Sequence, residues 1–158
     1  MISQDRRICL LAYNVRSLWN VGSFFRTCDA FNVEKIYLTG YTGSPPRKEI
    51  AKTALGAEEF IPWETARGPE PLVEKFKKDG WQIVALEQTD DAVPLGEFMP
   101  GEKVCVIVGH ECEGVPSDLL KLSDVKIEIP MLGKKESLNV AVAVGIALHH
   151  VRYTRARR

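Results

Sequence analysis

The chain has 158 residues, 45% of them apolar and 27% charged, which is enough to bury a sizeable core and excludes a disordered or fibrous chain. Twenty-one Lys and Arg balance twenty-one Asp and Glu, so the net charge of zero excludes a global field that would attract nucleic acid, and any basic surface has to be local. No apolar run approaches the ~20 residues of a membrane span. The opening stretch MISQDRRICLLAYN lacks the apolar length and small-residue cleavage site of a signal peptide, which points to a cytoplasmic protein.

In chain order, Arg7 to Tyr13 (RICLLAY) has the length and composition of a buried strand. The polar loop Asn14 to Asn20 follows, then a helix over Val21 to Phe31, with Asn20 as a candidate cap and Phe24, Phe25, Cys28 and Phe31 at core-facing spacing. Lys35 to Thr39 is a second strand. Gly40 to Arg47 is turn-rich and leads to a short helix from Lys48 to Leu55 that stops at Gly56. Glu59 to Trp63 reads as a third strand, Pro71 to Asp79 as an amphipathic helix, and Trp81 to Leu86 as a fourth strand. Asp90 to Gly101, rich in acids, prolines and glycines, reads as a loop. Lys103 to Val108 is a fifth strand, Pro116 to Leu122 a short helix, and Val125 to Ile129 a sixth strand closed by Pro130. The last helix starts near Val140, runs towards Arg155 and is apolar on every side as far as Leu148. Strands alternating with helices predict an α/β fold, a mostly parallel six-stranded sheet with helices on both faces. There is no internal repeat and no linker, so residues 1–158 read as one domain.

The four cysteines, Cys9, Cys28, Cys105 and Cys112, form no C-x-x-C pair, so neither a zinc ribbon nor a thioredoxin-like site is expected. Cys9 and Cys105 sit in strand-like runs and read as small buried hydrophobes; Cys112 lies in a polar loop with only His110 near it as a base. No metal is called for. The basic end VRYTRARR is either a solvated tail or a phosphate contact. Neither G-x-G-x-x-G nor G-x-x-x-x-G-K-[ST] is present, so dinucleotide and P-loop sites are unsupported. A hydrolase is equally unsupported, since there is no G-x-S-x-G and no convincing Ser–His–acid set from His110, His149 and His150.

Three polar loops remain. They carry Asn20-x-Gly22-x-x-x-Arg26-Thr27-Cys28-Asp29-Ala30, then Gly109-x-Glu111-x-x-Gly114, then Ile129-Pro130-Met131-x-Gly133-x-x-x-Ser137-Leu138-Asn139-Val140-Ala141-Val142-Ala143. In order and spacing these resemble the three motifs of the SpoU/TrmH family of SPOUT RNA methyltransferases, over Ile8 to about His150. Two positions depart from the pattern: His110 stands where Thr, Ser or Asn is common, and Ala141 where Ser is usual.

The resemblance implies a parallel sheet whose C-terminal segment is threaded as a trefoil knot, which connection rules alone would never suggest. It implies S-adenosylmethionine as cofactor, with Gly109, Ile129 and Leu138 at the usual contacts. Met131 would add to the apolar slot, and Leu86 and Glu87, at the end of the fourth strand, are further candidates. It implies methyl transfer to a ribose 2′-hydroxyl of a tRNA loop or an rRNA site, with tRNA favoured because the shortest relatives often act there. Arg26 would serve the reacting hydroxyl, Asn20 would fix Arg26 or the substrate, Glu111 would hold Asn20 or the methyl-transfer loop, and Ser137 and Asn139 would position loop and substrate. Some relatives carry a separate RNA-binding domain; none is expected here, since the chain starts almost at its first strand. A homodimer is expected, one stripe of the last helix on its own sheet and the other on its mate, with RNA also touching the mate's Arg16, Arg26 or basic tail. The alternative is a SPOUT-fold RNA-binding protein that has lost catalysis, against which the presence of Arg26, Glu111 and Asn139 argues.

Overall fold

The computed structural model describes residues 5–155. Its strands are β1 (Arg7–Tyr13), β2 (Lys35–Thr39), β3 (Trp63–Ala66), β4 (Gln82–Leu86), β5 (Val93–Pro94), β6 (Lys103–Val108) and β7 (Val125–Glu128). Its helices are α1 (Leu18–Ala30), α2 (Lys48–Ala54), α3 (Glu70–Lys78), α4 (Ser117–Leu122) and α5 (Val140–Tyr153). The strands form one sheet in the order β3-β2-β1-β6-β4-β7-β5, and every pairing is parallel. Because both faces are covered, the central strands carry apolar side chains at successive positions. Ile8, Leu10, Ala12, Val104 and Val106 pack with Phe24, Phe25, Ile50, Leu148 and Val151 on one side. Cys9, Leu11, Ile83, Cys105 and Ile107 pack with Val73, Phe76 and Leu119 on the other.

The sheet has seven strands rather than the six expected. The extra one, β5, is two residues long and contains Pro94, which an edge position tolerates because one side of the strand needs no partner. β3 is displaced from Glu59–Trp63 to Trp63–Ala66, and Ala57–Glu59 is a short 3-10 turn instead. Pro62 cannot donate to a ladder, so pairing begins beyond it, at Trp63 opposite Ile36. α1 starts one turn earlier than expected, capped by the Ser17 hydroxyl, which accepts from Asn20 N at 3.3 Å. Gly22 lets α1 lie directly on α2: a Cβ there would sit 2.0 Å from Thr53 Oγ1 and 2.3 Å from the Ile50 carbonyl oxygen.

Part of the basic end is structural. Arg152 is buried and donates to the carbonyls of Phe31, Asn32 and Arg6. Arg6, also buried, donates to the carbonyls of Pro100, Gly101, Val151 and Thr154. The two guanidiniums tie the end of α5 to the starts of β1 and β6, so Arg152 is no phosphate contact. Arg157 and Arg158 lie outside the described residues.

Candidate active site

The loops after β1, β6 and β7 meet at the C-terminal edge of the sheet, where parallel α/β folds place ligands. One carboxylate joins them. Glu111, in the loop after β6, accepts from Arg16 N at 3.1 Å, Ser17 N at 2.9 Å and the Asn20 amide at 3.2 Å. α1 has no acidic residue in its own first turn, so Glu111 supplies from a distant segment the negative charge that a helix N-terminus favours. Burial pushes the Glu111 carboxyl up, but the N–H groups of Ser17 and Arg16 and the Asn20 amide outweigh it and hold the group below its ordinary value. Asn20 in turn accepts from the Asn139 amide at 3.3 Å. Asn139 caps α5, accepting from Ala141 N at 2.9 Å and Val142 N at 3.3 Å. Glu111, Asn20 and Asn139 thus link the N-termini of α1 and α5 in one hydrogen-bonded line.

Beside this line lies a cleft of about 290 Å³, near the lower end of ordinary ligand sites. Leu86, Glu87, Gly109, Ile129, Met131 and Leu138, the six residues singled out for a cofactor, all line it, as do Glu111 and Ser137. Its shape depends on two glycines. A Cβ on Gly109 would meet the Gly114 carbonyl oxygen at 2.3 Å; one on Gly114, whose φ is +69°, would meet Glu87 Oε2 at 2.0 Å. Glu87 is held there by Val115 N at 2.8 Å and Gln88 N at 3.0 Å. Across the cleft the Gln88 amide donates to the Glu136 carbonyl at 2.7 Å, seating the loop that leads to α5.

Several lining residues escaped the sequence reading, among them Glu113, Glu128 and Glu136. With Glu87 and Glu111 they make the cleft acidic, and no periodic pattern in the chain marks them out. His110 is explained as a loop-former: its Nδ1 accepts from Cys112 N and Glu113 N, both at 3.0 Å. A Thr, Ser or Asn there would offer the same kind of short-range acceptor. Committed to the turn, His110 Nδ1 is not free to activate the exposed Cys112.

Arg26 does not belong to the cleft. It is exposed on α1 and borders a shallow groove between α1 and α5 with Thr27, Ala30, Phe31, Val142 and Ile146. Among the described residues no group of His, Cys, Asp and Glu is arranged to hold a metal ion, and no helix is long and apolar enough to cross a membrane.

The SpoU rRNA Methylase family matches residues 7–149. A tRNA (guanosine(18)-2′-O)-methyltransferase of Aquifex aeolicus is 31% identical over 156 residues, covering 98% of this chain and 73% of the relative. A 23S rRNA (guanosine(2553)-2′-O)-methyltransferase of Bacillus subtilis is 32% identical, covering 92% of this chain and 58% of its own length. The crystal structure of an AdoMet-bound rRNA methyltransferase from Sinorhizobium meliloti superimposes with a TM-score of 0.87 at 28% identity, covering 96% of this chain and 58% of that one.

Proposed function

The chain belongs to the SpoU rRNA methylase family, and we propose that it is one cytoplasmic catalytic domain that transfers a methyl group from S-adenosylmethionine to a ribose 2′-hydroxyl of RNA, of tRNA in preference to rRNA. The observation that carries this proposal is the cleft itself, where all six residues singled out for the cofactor converge beside the Glu111–Asn20–Asn139 line. The lining suits the cofactor chemically. Leu86, Ile129, Met131 and Leu138 offer an apolar slot for an adenine, Gly109 permits close backbone approach, and the ring of carboxylates favours a positively charged sulfonium. The threaded connection belongs to the same proposal, supported by the match of residues 7–149 to the family.

When bound, S-adenosylmethionine supplies an electrophilic methyl group. The chain's own residues then do the positioning that such a transfer needs. Glu111 fixes the entry to α1 and the Asn20 amide; Asn139 fixes the entry to α5; Ser137, on the cleft wall, orients the loop or the ribose. Arg26 acts from the RNA side. A guanidinium keeps its proton at any ordinary pH, so its part is to bind phosphate and stabilise the developing alkoxide rather than to take a proton.

A homodimer is part of this proposal. α5 buries Val144, Ala147, Leu148 and Val151, while Val142 and Ile146 stay 51% and 41% exposed. A second copy seated on the α1–α5 groove would cover that stripe and bring the mate's Arg26 towards the cleft, from which it is absent within one chain.

The test uses the purified chain with tritiated S-adenosylmethionine and, in parallel, bulk unmodified tRNA and rRNA. Label is expected in ribose-methylated nucleosides from the tRNA. Absence of both transfer and binding heat at millimolar cofactor overturns the proposal; a monomer by sedimentation at micromolar concentration removes the dimer.

A further inference from the structure

The acidic cleft raises a question of approach. Glu87, Glu111, Glu113, Glu128 and Glu136 line it, so an RNA phosphate meets repulsion there and must be received at its rim. On the rim stands Tyr41, two residues beyond the end of β2 and 59% exposed. A singly exposed aromatic is ordinary, but the backbone beneath this one is fastened from several sides. Tyr41 N donates to Asn14 Oδ1 at 3.0 Å, from an asparagine that itself takes a left-handed φ of 53°. Gly40 N is bonded to the carbonyls of Ala66 and Arg67. The buried Thr42 hydroxyl donates to the Thr39 carbonyl at 2.7 Å and accepts from Val15 N at 3.1 Å. Residues 39–42 are therefore locked to the loop that carries Arg16 and Ser17 into α1.

The Tyr41 ring stands edge-on to His110 with centroids 6.5 Å apart, inside the roughly 4.5–7 Å at which aromatic rings pair. His110 lines the cleft and is itself fixed by its two N–H donors. The Arg16 side chain is exposed on the same rim, and its backbone N–H is bound to Glu111. An exposed aromatic on a fastened backbone next to a cleft wall, with an exposed cation beside it, is the combination that holds a single-stranded nucleotide: the ring stacks on a base and the cation meets its phosphate. Holding the backbone beneath the ring in advance lowers the ordering cost of that contact.

We propose that Tyr41 is a base-stacking platform for a nucleotide of the RNA at the mouth of the cleft, with Arg16 contacting the adjoining phosphate. This rests on the RNA methyltransferase function proposed above. Tyr41 is a positioning residue; it touches no reacting atom.

The experiment measures binding of bulk unmodified tRNA by fluorescence anisotropy across a salt series, for the wild-type chain and for Tyr41→Ala, Tyr41→Phe and Arg16→Ala. Tyr41→Ala should weaken binding by about 5- to 150-fold, and Tyr41→Phe should restore most of it. Stacking releases no counterion, so Tyr41→Ala should leave the salt slope unchanged, whereas Arg16→Ala should lower it by about one phosphate contact. Cofactor affinity by calorimetry and the thermal midpoint should match wild type for both tyrosine variants. Wild-type affinity in Tyr41→Ala, or a loss that Tyr41→Phe does not restore, overturns the stacking role while leaving the methyltransferase proposal standing. A wild-type chain that neither binds nor methylates RNA overturns both.

Discussion

Glu111→Ala removes one side chain and unties three donors. In the intact chain the carboxylate accepts from Arg16 N, Ser17 N and the Asn20 amide. Bonds to a charged acceptor contribute about 1.5–3 kcal/mol each when shielded. Glu111 is only partly shielded from solvent, so water takes over much of that, and about 1 kcal/mol per bond is the appropriate scale. The expected loss is about 2–3 kcal/mol at pH 7, read as a shift of the urea midpoint at unchanged slope. The pH dependence gives a sharper check. The folded state holds the carboxyl below its ordinary value, so the stabilisation is complete above the unfolded group's pKa. It is lost as pH falls through the lower, folded value. The gap between wild type and Glu111→Ala should therefore be full at neutral pH and should narrow on acidification below about pH 4.5. Glu111→Gln, which keeps an acceptor but not the charge, should fall between the two and show little of that narrowing. A gap under about 0.5 kcal/mol at pH 7, or one that stays constant into acid, would refute the assignment of Glu111 as the tie between the loops.

Three further outcomes follow from the geometry. Arg26→Ala should lower methyl transfer a hundredfold or more, a loss of about 2.7–4 kcal/mol of transition-state stabilisation, while cofactor affinity by calorimetry stays near wild type because the residue borders the groove and not the cleft. Gly114→Ala should cost about 2 kcal/mol and weaken cofactor binding together, since the new Cβ faces both a φ of +69° and Glu87 Oε2 at 2.0 Å; Gly133→Ala, whose Cβ meets nothing, is the control. Arg152→Met should lower stability by on the order of 3 kcal/mol in chemical denaturation, because three carbonyls lose a buried donor, and should leave the salt dependence of RNA binding unchanged.

What the chain discloses in advance depends on who its partners are. The apolar runs of β1, β4 and β6 announce a parallel sheet because burial on both faces acts on side chains, and side chains are what a sequence displays. The α5 stripe of Val144 and Leu148 against Val142 and Ile146 is legible for the same reason. β5 is not, since two residues with a proline have no period and are held only by the edge of β7. The misplacement of β3 has a related cause: the apolar Phe60-Ile61-Pro62-Trp63 looks like a strand, while the true pairing runs through Glu64 and Thr65, which an exposed edge permits. Arg152 reads as a tail charge because its partners are carbonyl oxygens, and every residue has one of those. The site is the extreme case. Asn20 and Glu111 lie 91 residues apart, Asn20 and Asn139 119 apart, and most of what they hold is backbone N–H. Only the motif resemblance brought these residues together in advance, and it did so without the reason. That reason is physical: two helix N-termini at one sheet edge leave donors that need an acceptor, and Glu111 and Asn139 are the acceptors supplied.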